Sequence, residues 1–151
     1  MLPLPAGSYQ LTSSYGPRWG VFHYGQDFAA PPSTPIYAVA AGTIVSAECT
    51  SPFCDRPGEL DAAGRPTTPG CGWRVQIQHP GGIATTYCHA QALAVHTGQI
   101  VTAGQVIGWV GSTGNSTGPH LHVQVHVHAP PISDATTVDP LPFLRGVGLN
   151  P

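Results

Sequence analysis

Glycine and proline punctuate this chain so densely that long helices have little room: 19 Gly and 17 Pro are spread through 151 residues. Glycine is entropically costly inside a helix, and an interior proline breaks one. No window shows a 3.6-residue apolar period with caps; Gln91–His96 comes nearest and is too short to matter. Between the breakers the chain reads as short strands. These are Ile36–Val39, Gly42–Cys49, Trp73–His79, Ile83–His89 and Leu121–Val127, with two phrases, Gly98-Gln99-Ile100-Val101 and Gly104-Gln105-Val106-Ile107, repeating six residues apart. In Trp73–His79, Val75 and Ile77 face one side and Arg74, Gln76 and Gln78 the other. Pro80-Gly81-Gly82 turns that strand back into Ile83–His89. The expectation is an all-β fold, a compact antiparallel β-sandwich or partly open barrel, with long loops walling a groove. A single domain spans 1–151, with 1–14 as an N-terminal extension, 50–70 as a loop insertion and 145–151 as a tail.

Charge excludes several functions. The basic residues are five Arg and no Lys, and the net charge is -2. Phosphate neutralisation needs more cations than this, so a nucleic-acid partner is not expected. Without Lys there is no Walker A loop, no Schiff base and no lysine-borne carrier group. No apolar stretch approaches the roughly 20 residues that span a bilayer. Met1-Leu2-Pro3-Leu4-Pro5 lacks the basic and apolar regions of a signal peptide and reads as the start of an excised domain, with a phage module as the minor reading.

Cys49, Cys54, Cys71 and Cys88 lack a C-x2-C knuckle, which favours two disulfides and an oxidising compartment over a structural zinc site. Of three connectivities, Cys71–Cys88 with Cys49–Cys54 is preferred. The first ties the ends of adjacent strands and the second closes a small loop.

Eight His against so few other ionisable groups direct attention to their grouping. His120 and His122 lie at i and i+2 on a strand, so both point the same way, roughly 6.5–7 Å apart at Cα. His23 and Asp27 lie at i and i+4 around Gly25, which permits close backbone approach. Two His and one Asp make a three-ligand zinc set with the fourth position open. Tyr87-Cys88-His89 adds a third His at the end of a hairpin strand. His126 and His128 continue the parity of His120 and read as a solvated strand end. His79 reads as a structural His beside a turn, and His96 as a surface residue.

The run Gly111-Ser112-Thr113-Gly114-Asn115-Ser116-Thr117-Gly118-Pro119-His120-Leu121-His122 resembles the signature of the lysostaphin-type (LytM-type) zinc metallopeptidases, which cut peptide bonds in bacterial peptidoglycan. The family's H-x3-D and Y-x-H motifs are matched, in order, by His23–Asp27 and Tyr87–His89. The repeated Gly-Gln phrase, Asp139-Pro140 and Phe143-Leu144 resemble it too. By position, the resemblance implies that His23, Asp27 and His122 hold Zn2+, and that His89 and His120 are the catalytic His. Zinc would acidify water and polarise the scissile carbonyl. One His would take a proton while the other holds the oxyanion or protonates the leaving amine; which is the base stays open. The implied protein is a monomeric extracellular or cell-envelope enzyme, or a phage-borne lysin module, with peptidoglycan peptide as substrate.

Some features depart from the family pattern. Val123-Gln124-Val125 stands where Phe-Glu-Val is common, which leaves an acidic partner of the ligands missing. Ala90 replaces the usual Leu, and the 50–70 loop is longer than a minimal member needs. Gly114-Asn115-Ser116-Thr117-Gly118 matches a nucleophile elbow in letters but leads into a strand, not a helix. The rival readings are a non-catalytic zinc- or cell-wall-binding member of the same fold, which regulates another hydrolase, and a cytosolic His phosphocarrier. The disulfides and Asp27 argue against the carrier.

Overall fold

The computed structural model describes all 151 residues. Twelve strands carry the chain. The first five are β1 (Gln10–Leu11), β2 (Gly16–Arg18), β3 (Val21–His23), β4 (Gln26–Ala29) and β5 (Pro35–Tyr37). Then come β6 (Gly42–Cys49), β7 (Trp73–His79), β8 (Ile83–Leu93), β9 (Ile100–Val101), β10 (Val106–Val110), β11 (His120–His126) and β12 (Thr137–Val138). Every pairing is antiparallel. Ten strands form one sheet in the order β1-β4-β11-β8-β7-β6-β9, with β12 beside β11 and β5 joined through β10; β2 and β3 form a separate hairpin. The end strands β1 and β9 do not pair, so the sheet is not a closed barrel.

The alternation of β7 holds: Val75 and Ile77 are buried in the core, alongside Ile44, Ile107, Phe28, Leu121 and Val123 from neighbouring strands. Leu4, from the N-terminal segment, joins the same core. Strands β6 and β7 have the bounds that their sequence predicts. Strand β8 runs past His89 to Leu93, and Gln91 begins no helix. Both preferred disulfides are present, Cys49–Cys54 and Cys71–Cys88.

Two expectations are corrected. The chain does contain a helix, α1 (Pro140–Gly146), with Asp139 capping it by accepting a hydrogen bond from the Leu141 amide and Pro140 at its first position. Seven residues are too few to show a period. His126 is not a solvated strand end. The 132–136 segment and β12 fold over it and bury it completely. Its Nε2 lies 2.8 Å from Thr86 Oγ1, and its Nδ1 lies 3.1 Å from Ser133 O and 3.0 Å from Thr136 Oγ1. His128 is exposed. His79 is structural, bridging Ala41 O at 2.7 Å and Thr85 Oγ1 at 2.8 Å.

The 50–70 segment forms no strand and docks on the Gly111–Gly118 run. The Gly58 amide donates to Ser112 O at 3.0 Å, and the Asn115 amide donates to Gly70 O at 2.8 Å.

Candidate active site

Three adjacent strands assemble the site. His122, on β11, stands opposite Asp27 of β4 on one side and Cys88 of β8 on the other. His120 lies two residues earlier on the same face. The β2–β3 hairpin supplies His23 as its last residue. The chain must then reverse within Tyr24-Gly25 to start β4. Gly25 is needed there because a Cβ would sit 2.7 Å from the His122 ring and still closer to Val123 O.

His89 occupies an unusual backbone. Its φ is +68°, in the left-handed region that a non-glycine residue rarely adopts. There β8 changes partners: it pairs with β11 up to Cys88 and with β10 from Ala90. Its pairing with β7 is also out of step at this point. The freed His89 amide donates to Cys71 O at 2.7 Å, and Cys71 is tied to Cys88. The ring swings into a cavity of about 890 Å³ that is also lined by His23, Asp27, His120 and His122.

Three of the four His rings are held in the same way. His23 Nδ1 meets Ser14 O at 3.0 Å, His89 Nδ1 meets Thr113 O at 2.7 Å, and His120 Nδ1 meets Gly118 O at 2.9 Å. A carbonyl only accepts, so each Nδ1 carries the proton and each Nε2 is left with a lone pair. Such outer partners fix tautomer and ring orientation in metal sites. They supply what the missing acidic partner at Gln124 does not. Thr113 is itself pinned, donating through Oγ1 to Ala90 O at 2.7 Å and accepting from the Trp73 amide at 3.1 Å. Nothing in the sequence marks Ser14, Thr113 or Gly118 for this task, because every residue has a carbonyl.

His23, Asp27 and His122 each offer a ligand atom within 4.8 Å of the others. Asp27 Oδ1 lies 2.9 Å from His122 Nδ1, 3.3 Å from His23 Nε2 and 3.8 Å from His120 Nε2. With the His23 proton committed to Ser14, its Nε2 lone pair faces a carboxylate oxygen. Two acceptors at 3.3 Å call for a cation between them. The donor set, two imidazole nitrogens and one carboxylate oxygen, is one that zinc accepts with a position to spare. Burial opposes ionisation of Asp27, yet the hydrogen bond from His122, with His23 and His120 adding to the effect, outweighs it, and the carboxyl is held well below the usual range. Burial lowers His122, against the hydrogen bond and charge of Asp27, and the nearby His23 and His120 lower it further. Burial, with the neighbouring His120 and His122, pushes His89 down to about 3. His89 and His120 stand side by side, with ring centroids 4.7 Å apart.

Comparison with known proteins decides the family. The sequence model of peptidase family M23 matches residues 21–140, most of the chain. The chain belongs to peptidase family M23. Lysostaphin of Staphylococcus simulans is 36% identical over 145 residues, covering 93% of this chain and 26% of that protein. The DD-carboxypeptidase/endopeptidase Mpg of Neisseria meningitidis is 38% identical over 122 residues, covering 81% of this chain and 24% of that protein. The chain thus spans about a quarter of the length of these relatives. The crystallised catalytic domain of S. simulans lysostaphin superposes with a TM-score of 0.72 at 35% identity, over 91% of this chain and 92% of that one. A zinc-containing peptidase from Vibrio cholerae gives 0.70 at 29% identity, over 91% of this chain and 37% of that one. The mostly β, antiparallel architecture is therefore the lysostaphin-like M23 fold.

Proposed function

We propose that this chain is a zinc-dependent endopeptidase domain that hydrolyses peptide bonds in bacterial peptidoglycan, outside the cell or in its envelope. His23, Asp27 and His122 hold the metal, and His89 and His120 are the catalytic pair. The observation that carries this reading is the shared orientation of His23, His89 and His120. Each gives its Nδ1 proton to a backbone carbonyl and turns a bare Nε2 into one cavity beside an ionised Asp27. A structural cluster has no need of aligned lone pairs. All five positions that a non-catalytic member would lose are intact. Membership of M23 and the likeness to lysostaphin support the same reading.

The chemistry a bound zinc supplies is Lewis acidity, which acidifies water towards neutral pH and polarises a carbonyl. The rest falls to the protein. One of the His89–His120 pair takes the proton of the attacking water at Nε2. The water oxygen bonds to the carbonyl carbon, the C–N bond breaks, and the proton passes to the leaving amine. The other His, protonated at Nε2 from solvent, donates to the oxyanion and returns that proton to solvent when the product leaves. No covalent bond to the enzyme forms.

The test combines elemental analysis for zinc with turbidity loss of purified cell walls, with and without chelator, and mass spectrometry of the released muropeptides. Zinc near one equivalent and chelator-sensitive release of new amino termini are expected. Metal-free protein with no chelator-sensitive lysis would refute the proposal. His23→Ala should lose metal and activity together, while His89→Ala should keep metal and lose turnover.

A further inference from the structure

The β2–β3 hairpin carries an arrangement that the five-residue centre does not use. Its strands pair Gly16 with His23 and Arg18 with Val21. Residues paired directly across two strands share a face. Arg18, Val21 and His23 therefore stand together on the side that lines the cavity. Phe22 takes the opposite side, where it packs against Tyr15 and Tyr24 at ring-centroid distances of 5.1 and 4.8 Å. That aromatic backing anchors the hairpin and leaves its other face free.

The tip is a two-residue turn with φ of 47° at Trp19 and 78° at Gly20. Turns with both central residues left-handed favour Asn and Gly, and a bulky side chain there is an outlier. Trp19 occupies the position nonetheless, is 97% exposed, and lines the same cavity. An indole in water on a disfavoured backbone contributes nothing to the core, which points to a use outside the fold. Arg18, next to it, pairs with no carboxylate, unlike Arg56, Arg65 and Arg74. Arg65 lines the cavity too, from the 50–70 loop. Asp27 is the only carboxylate among the lining residues, and the candidate metal claims it.

We propose that Arg18 and Trp19 form a substrate-selecting subsite for peptides bearing a free carboxylate near the scissile bond, that is, anionic stem peptides in preference to uncharged oligoglycine bridges. The proposal rests on the endopeptidase reading and deepens it. The guanidinium takes the carboxylate in charge-assisted hydrogen bonds, and the indole covers the apolar side of the peptide. Strand pairing sets the distance between this subsite and His23, so the carboxylate specifies which bond reaches the centre.

The test uses the full chain loaded with zinc and two synthetic stem peptides, identical except that one has its carboxylates converted to carboxamides, with pentaglycine as a third substrate. Wild type should favour the carboxylate peptide by about tenfold or more in kcat/KM, the scale of a charge-assisted hydrogen bond. Arg18→Gln should erase that ratio through KM, with kcat held. Trp19→Ala should raise KM for both stem peptides. Fluorescence of Trp19, taken as the difference from Trp19→Phe, should respond to the carboxylate peptide in wild type but not in Arg18→Gln. Equal turnover of the two stem peptides by wild type, preference for pentaglycine, or a ratio unchanged in Arg18→Gln overturns the subsite and leaves the endopeptidase reading standing. Failure of that reading is distinct, because no substrate, cell walls included, is then cut in a chelator-sensitive way. In that case fluorescence decides: binding that discriminates carboxylate from carboxamide and is lost in Arg18→Gln supports the subsite, and absence of discrimination refutes it.

Discussion

Gly25 flanks two proposed ligands and Gly118 a proposed catalytic His, and the structure separates their roles sharply enough to test. A Cβ on Gly25 would lie 2.7 Å from both Cε1 and Nε2 of His122, where ordinary contact begins at 3.4 Å. The ring must retreat by about 0.7 Å, while metal–ligand distances tolerate only about 0.2 Å. The same Cβ would also strike the Val123 carbonyl, which is backbone of β11 and gives way less readily than a side chain. Its φ is not positive, so alanine brings no backbone penalty and the effect is steric. Gly118 has nothing within 4 Å of a built Cβ and acts through its carbonyl, which alanine keeps. Gly25→Ala should therefore lower zinc affinity by about 10- to 100-fold, the range seen when the support of a ligand is lost. Overpacking should also cost about 1–3 kcal/mol of stability. Gly118→Ala should change neither. Competition with a chromophoric chelator measures the affinity, and urea unfolding measures the stability. Equal zinc affinity in wild type and Gly25→Ala would show that the His122 ring is not held where the argument needs it.

Three further outcomes follow from the same geometry. Reducing Cys71–Cys88, or replacing both residues by Ala, opens a loop with a sequence separation of 17 and should cost about 3 kcal/mol in unfolding. It should also lower kcat while zinc stays bound, since Cys71 O holds the His89 amide; unchanged kcat after verified reduction contradicts that role. His79 and His126 are buried and lowered by desolvation, so both are neutral in the fold. Below their unfolded value of about 6.5 the unfolded chain binds more protons, and stability should fall with pH at up to about 1.4 kcal/mol per unit for each. Urea titrations at pH 7.5 and 5.5 should show a smaller loss in His79→Gln than in wild type, and parallel losses would refute the linkage. Finally, Thr113→Val removes the hydroxyl that bonds Ala90 O and the Trp73 amide but keeps the carbonyl. It should lower kcat several-fold at unchanged zinc content, and an unchanged rate would show that His89 needs no such anchor.

Much of the site was legible because its chemistry is written in side-chain identity and parity. His-x-His on a strand needs only alternation to share a face, and β11 provides it. The boundaries of β6 and β7 were legible for the same reason. The strands β1 to β4 were not. They run two to four residues each, several are exposed, and Tyr, Gly and Pro break any alternation. The burial of His126 depends on the distant 132–138 segment folding over it, which local pattern does not encode. An i, i+4 spacing fits one face of a single strand or helical turn, so it does not reveal how His23 and Asp27 are placed. In fact they lie on two strands, and the turn at Gly25 brings them together.

His89 shows how local identity and long-range geometry combine in one residue. The letters Tyr87-Cys88-His89 place a His two residues from the buried Tyr87, so on a regular strand both would face the core. Tyr87 does, with its hydroxyl bonded to the Val39 amide at 3.1 Å. His89 escapes only because the strand bulges at that residue and φ turns positive. Each support for the bulge comes from elsewhere in the chain: the Cys71 carbonyl takes the stranded amide, and the Thr113 carbonyl takes the ring. Gly72 and Gly114 let these segments close on one another, since a Cβ on Gly72 would strike the Thr113 side chain and one on Gly114 would strike the Gly72 amide. The glycines of the Gly111–Gly118 run thus serve a His that lies more than twenty residues earlier. Glycine density, first a bar to helices, is in this region the condition for bringing His89 to the cavity of the candidate metal site.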